Sequence, residues 1–242
     1  METYSKDFYN NRHEKTVYSA NTILSILLER IPEINSAIDV GCGVGTWLSV
    51  LQEMGIKEIK GIDGNWVDKN LLVIPQNCFE QVDLNKEIRQ PTRYDLAISL
   101  EVAEHLPAAR AKEFVLFLTE LSDFVLFSAA IPFQGGTSHI NEQWQHFWAR
   151  LFEAQDYIVH DFIRSKIWHD NKIPFWYKQN ILFFSRRNRS ADLRFDHEVL
   201  DASLTSLSIV HPDLYLSKIK PDPVISNATT AQNAVKRTYK HH

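Results

Sequence analysis

The chain has little cysteine: two residues, Cys42 and Cys78, in 242. They are too few and too far apart for a disulfide framework or a cysteine metal knuckle, and they fit a reducing cytoplasm. There is no apolar run near the roughly 20 residues that span a bilayer, so any membrane association is expected to be peripheral. There is no basic excess. The net charge of −4 removes the electrostatic footprint of a protein that grips polynucleotides nonspecifically, and nucleic acid is disfavoured as a partner. The opening residues Met1-Glu2-Thr3-Tyr4-Ser5-Lys6-Asp7 lack the basic stretch and apolar core of a signal peptide. A cytoplasmic protein is expected. What remains is 44% hydrophobic and 23% charged, the balance of an ordinary globular chain long enough for one sizeable core plus appendages.

Short apolar runs alternate with helical patterns. Residues 37–40, 58–62, 79–82, 95–100 and 124–130 read as strands, and 19–28, 46–54 and 108–121 as helices. A helix is expected from Glu142, capped by Asn141, with Glu142 complementing the first-turn dipole. Two last strands are expected at 158–163 and 176–184. Strands alternating with helices predict an α/β fold, a mostly parallel sheet covered on both faces. The pattern predicts one domain over residues 1–185. Residues 186–242 form a C-terminal extension, partly helical, with a mobile stretch expected over 220–242.

"AIDVGCGVGTW" sets Gly41, Gly43 and Gly45 between the first strand and a helix. Glycine is needed where backbone turns sharply or approaches a ligand. Thr46 stands where a dinucleotide fingerprint needs its third glycine, and the lysine of a phosphate loop is missing, so NAD and ATP are both disfavoured. Asp63 closes the second strand about 20 residues on, where a carboxylate can accept hydrogen bonds from both ribose hydroxyls. Asp83 follows the third strand, in reach of an adenine amino group.

Together "DVGCGVG", "GIDG", "QVDL" and "LAISLEVAEHL" resemble the class I S-adenosylmethionine-dependent methyltransferases over about residues 18–184. The resemblance implies a doubly wound, seven-stranded Rossmann-like sheet with its last strand antiparallel, and S-adenosyl-L-methionine as cofactor. It implies Asp39, Gly41, Gly43 and Gly45 for the cofactor loop, Asp63 for the ribose, Asp83 for adenine and Leu84 packed against it. Ser99 and Leu100 would run past the methionine end.

"SLEVAEHL" then puts Glu101, Glu104 and His105 at i, i+3, i+4. On one turn of helix their side chains would converge. Carboxylates that close repel, and one must take up a proton unless a cation joins them. Two oxygens and an imidazole nitrogen suit Mg, Mn, Fe or Zn. The cluster resembles the metal-dependent methyltransferases that act on the 3'-terminal 2'-hydroxyl of small RNAs, and ubiquinone-pathway O-methyltransferases share a related unit. The first resemblance implies a metal site of Glu101, Glu104, His105 and His139. Three readings stand: that metal site, with Glu104, His105 and His139 as the candidate catalytic residues; a metal-free base at His105 or His139; or a structural polar cluster.

The segment from His139 to Phe184, with "VHPDLY" after it, resembles bacterial methyltransferases of surface-polysaccharide synthesis. That implies a carbohydrate or sugar-phosphate acceptor and glycan-assembly enzymes as partners. The expected function is metal-assisted O-methylation of a sugar hydroxyl. The alternatives are a small-RNA 3'-end 2'-O-methyltransferase and a noncatalytic S-adenosylmethionine-binding scaffold.

Overall fold

Residues that send successive side chains to opposite faces build a sheet buried on both sides. The computed structural model describes residues 6–86, 92–194 and 207–219, with side chains from residue 14 on. The mobile stretch expected over 220–242 lies outside the described residues. The elements run α1 (Lys6–Leu28), β1 (Ser36–Val40), α2 (Thr46–Glu53), β2 (Glu58–Asp63), β3 (Phe79–Gln81), β4 (Leu96–Leu100) and α3 (Ala111–Leu121). They continue with β5 (Phe124–Ser128), α4 (Gln145–Glu153), β6 (Tyr157–His160), α5 (Arg164–Ile167), α6 (Phe175–Asn180), β7 (Leu182–Arg186) and α7 (Pro212–Lys218).

The strands form one seven-stranded sheet in the order β3-β2-β1-β4-β5-β7-β6. Neighbours pair in parallel except at β7, which runs antiparallel to both β5 and β6. This is the doubly wound sheet with a reversed last strand that the family resemblance implies. Ala37, Ile98, Leu126 and Phe183 face a core closed by α1 and α2. Their neighbours Ile38, Ala97, Phe127 and Phe184 face a second core closed by α3 and α4. Covering both faces is why the strands read as unbroken apolar runs. In the second core the Phe152 and Phe184 rings stack at 3.9 Å, with Phe127 edge-on to both.

Three expectations are corrected. Residues 175–180 are helical, and the strand begins only at Leu182. Phe175, Trp176 and Tyr177 favour strands, but Pro174 at the cap position, with φ preset near the helical value, starts a helix instead. The helix expected from Glu142 begins at Gln145 with Trp144 as its cap, which frees Asn141 and Glu142 for other work. The helix expected from Ala108 begins at Ala111, after a 3₁₀ turn over Ala108–Arg110. The chain divides into two compact units, Met1–Ile209 and Val210–His242, which share the extension expected from residue 186. In the second, α7 starts with Pro212 at its first turn, and the His211 imidazole accepts the Asp213 N–H at 3.2 Å.

Candidate active site

In an open α/β sheet the ligand crevice lies beyond the carboxyl ends of the strands where the order reverses. Here that point is between β1 and β4. The loop after β1 passes close to the turn after β4. Gly41 has φ 84°, and a Cβ there would lie 2.3 and 2.9 Å from the Val102 methyls. Only glycine allows this approach. Asp63, buried at the end of β2, accepts the Gly43 N–H at 2.7 Å and the Gly64 N–H at 2.6 Å. It therefore shapes the glycine loop. Beyond Gly43 and its two chain neighbours, no atom of the described residues lies within 4 Å of where a Gly43 Cβ would be, so the crevice is open beside that residue. Asp39 is buried, and burial, helped by the Asp63 charge, pushes its pKa well up.

Leu84 and Ser99 are buried, and the Ser99 hydroxyl has no partner among the described residues; Leu100 is half-buried. Asp83 is exposed and folds back on its own chain. It accepts the Asn85 N–H at 3.1 Å and pairs with Lys86 at 3.2 Å, which hold its carboxyl below the usual range. A group so placed loses little when it trades solvent for a ligand amine. Asp83→Ala is expected to weaken S-adenosylhomocysteine binding by about threefold at most, as read by titration calorimetry.

The Glu-Glu-His unit does not form one helical turn. Glu101 takes a left-handed φ of 56°, and a 3₁₀ turn covers Ala103–His105 only. The Glu101 carboxylate accepts Asn180 Nδ2 and Gln134 Nε2, each at 3.0 Å. Part of its surface stays open, yet enough protein surrounds it that burial raises its pKa, against those bonds. Glu104 is fully buried, and neither carboxylate oxygen has a hydrogen-bond partner of good geometry among the described residues. Its pKa is pushed up to about 9, by burial first and the Glu101 charge second; its own N–H and that of Ala130 give slight relief.

The loop after β5 straps across this turn. Ile140 N–H and Asn141 N–H both donate to the Glu104 carbonyl, at 2.9 and 3.0 Å, and Asn141 Nδ2 reaches the Ala103 carbonyl. The strap brings His139 to the 3₁₀ turn. Ligand atoms of Glu104, His105 and His139 lie within 4.8 Å of one another, and the two imidazoles meet edge to face at 4.9 Å. Burial and the neighbouring His139 lower the His105 pKa, so its ring is neutral at pH 7. Burial and two nearby acids push the Cys42 thiol up, away from thiolate chemistry.

The structure thus joins Glu104, His105 and His139, and engages Glu101 elsewhere. Sequence reasoning missed Gln134 and Asn180, and gave Glu142 only a helix-dipole role. Glu142 alone carried a signal: it stands three residues after His139.

A glycine loop and a strand-end acid at a topological switch point define an α/β enzyme with a nucleoside-cofactor crevice. The profile of the methyltransferase domain family matches residues 11–155. The chain belongs to that family: it is an enzyme, an S-adenosylmethionine-dependent methyltransferase, and not a noncatalytic scaffold. No curated protein matches it. Among solved structures it is similar to magnesium protoporphyrin IX methyltransferase (ChlM) from Synechocystis PCC 6803 with bound S-adenosylmethionine. The identity is 17% over 77% of this chain and 86% of that one, with a TM-score of 0.52. It is also similar to the methyltransferase domain of bacterial CtHen1, at 20% identity over 71% of this chain and 96% of that one, TM-score 0.49. These likenesses concern the fold. No helix among the described residues is long and apolar enough to cross a membrane.

Proposed function

We propose that this enzyme is an O-methyltransferase assisted by a divalent cation held by Glu104, His105 and His139. We propose further that its acceptor is a sugar or sugar-phosphate hydroxyl of a bacterial surface polysaccharide, delivered by glycan-assembly enzymes. The observation that carries the metal reading is Glu104, a carboxylate with both oxygens buried and no hydrogen-bond partner of good geometry among the described residues. Burying such a group is costly unless a cation compensates it. One carboxylate and two imidazoles suit Mn, Fe or Zn, and accept Mg less readily; they leave positions open for substrate.

S-adenosylmethionine supplies the methyl group on a good leaving group. A cation at Glu104 would supply a lowered hydroxyl pKa and a fixed oxygen position. The chain's own residues do the rest. Asp63 and the glycine loop form the cofactor crevice. The strap over residues 131–144 covers Glu104 from water. Neutral His105 offers a lone pair, which also supports the second reading, a metal-free general base.

For the acceptor, the segments that build the site, 99–107 and 131–144, contain no Lys or Arg. That counts against a polynucleotide and for a neutral diol. Phe133, on the strap, is 84% exposed, and aromatic faces of this kind receive the apolar faces of sugar rings. The test is transfer of labelled methyl to diol sugars, sugar phosphates and short RNAs, with chelator and with each metal restored. Transfer to a glycan acceptor should fall to background in EDTA and return with one metal. Undiminished turnover in EDTA leaves His105 as a metal-free base. Transfer only to RNA removes the sugar reading.

A further inference from the structure

Both imidazoles of the site are held by the same nitrogen. His105 Nδ1 lies 3.2 Å from the Ser138 carbonyl oxygen, and His139 Nδ1 lies 3.1 Å from Glu142 Oε1. A carbonyl oxygen can only accept, and so can an ionised carboxylate. Each Nδ1 therefore carries the proton, and in the neutral ring each Nε2 keeps its lone pair. From this geometry we infer that Glu142 is a positioning residue: it sets the tautomer of His139 and aims that ring at Glu104. The inference rests on the metal reading above and adds to it a residue outside the ligand set.

Glu142 is built for this. Its Oε1 also accepts the Gly135 N–H at 2.7 Å, and its Oε2 accepts the Phe133 N–H at 2.8 Å. Three donors thus fix one carboxylate, and a fixed acceptor fixes the ring that donates to it. The ring is also backed from one side. A Cβ on Gly136 would lie 2.3, 2.5 and 2.8 Å from Nε2, Cε1 and Cδ2 of His139. Three ring atoms at such similar distances place that point over the ring face, not on the line of the Nε2 lone pair. Gly136 therefore supports the face and leaves the in-plane lone pair free. The loop holds two left-handed non-glycine residues to achieve this, Phe133 at φ 68° and Ser138 at φ 62°. Such conformations persist where surrounding contacts enforce them. Helix-dipole compensation, the ordinary role for Glu142, does not apply, since α4 begins three residues later.

A carboxylate behind a ligating histidine raises its basicity, and losing it typically costs 10–100-fold in metal affinity. The experiment uses the full chain with Glu142→Ala and Glu142→Gln, the second keeping volume and one acceptor oxygen if the first fails to fold. Imidazole ¹⁵N shifts of the metal-free protein, with His139 assigned by its loss in His139→Ala, should show Nδ1–H in the wild type. In Glu142→Ala they should show a mixture of tautomers. Calorimetry with Zn²⁺ alone should show affinity about 10–100-fold lower in Glu142→Ala and about tenfold lower in Glu142→Gln. Wild-type His139 protonated at Nε2, or Zn²⁺ affinity unchanged in both variants, overturns the inference. Weakened binding with the tautomer unchanged also overturns it, and leaves Glu142 as a loop staple only. A wild type that binds no Zn²⁺ while its tautomer depends on Glu142 removes the metal reading and leaves the positioning role standing.

Discussion

Replacing Glu104 by Gln should stabilise the metal-free protein at alkaline pH and abolish its response to divalent cations. Glu104 titrates near 4.5 in an ordinary setting and is pushed up to about 9 in the fold. Between those values the folded chain holds a proton that the unfolded chain has released. The native state then binds more protons than the unfolded one, so stability falls as pH rises across that window, by up to about 1.4 kcal/mol per pH unit. Below the window the carboxyl is neutral in both states, and the Gln variant resembles it in shape and charge. Above it no further loss occurs. Urea unfolding in chelator should therefore give matching stabilities near pH 4.5 and a gap on the order of 3 kcal/mol by pH 8. Added Zn²⁺ or Mn²⁺ should stabilise the wild type and not the variant, because a ligand stabilises only the state that binds it. Methyl transfer should fall to background while S-adenosylhomocysteine affinity is kept. Parallel pH profiles for the two proteins would mean that Glu104 is solvated, and would remove the case for a cation beside it.

Much of the sheet is legible in the sequence because its strands are buried on both faces. Ile38, Ala97 and Phe127 alternate with Ala37, Ile98 and Leu126 between two cores, so each strand is an apolar run with sharp polar ends. The glycine loop is legible for a related reason: a backbone passing Val102 this closely tolerates no side chain at Gly41. Local spacing fails where distant contacts decide. Glu101, Glu104 and His105 have helical spacing, but the Glu101 N–H is drawn to the Ser128 backbone at 3.0 Å, at the end of the next strand. That contact breaks the turn and delivers the Glu101 carboxylate to Asn180, 79 residues away. The meeting of His139 with Glu104 depends on two N–H bonds from the strap to one carbonyl, which no periodicity encodes; only family resemblance pointed to it. At Pro174 the local signals themselves conflict. Strand-forming aromatics follow a helix-starting proline, and the proline prevails.

The complementary loss belongs to Asp63. Asp63→Ala should lower S-adenosylhomocysteine affinity at least 100-fold, about 2.7 kcal/mol, while Zn²⁺ affinity stays within about threefold of wild type because Asp63 is outside the ligand cluster. Two effects add. The Gly43 and Gly64 N–H groups, now held at 2.7 and 2.6 Å, lose their acceptor, and leaving the buried Gly64 donor unsatisfied costs about 1–3 kcal/mol. If Asp63 holds the ribose, as the family resemblance implies, the ribose hydroxyls lose their acceptor as well. Asp63→Asn should lose nearly as much, because an amide offers one acceptor oxygen where the two N–H groups now find two, and its NH₂ would face a donor. Calorimetry with S-adenosylhomocysteine, and separately with Zn²⁺, reads both halves of the site. The Asp63 variant should keep the metal and lose the cofactor, and Glu104→Gln should do the reverse. An Asp63 variant that binds S-adenosylhomocysteine within a few-fold of wild type would show that the glycine loop keeps its shape without that carboxylate, and the ribose would have to be assigned to another group.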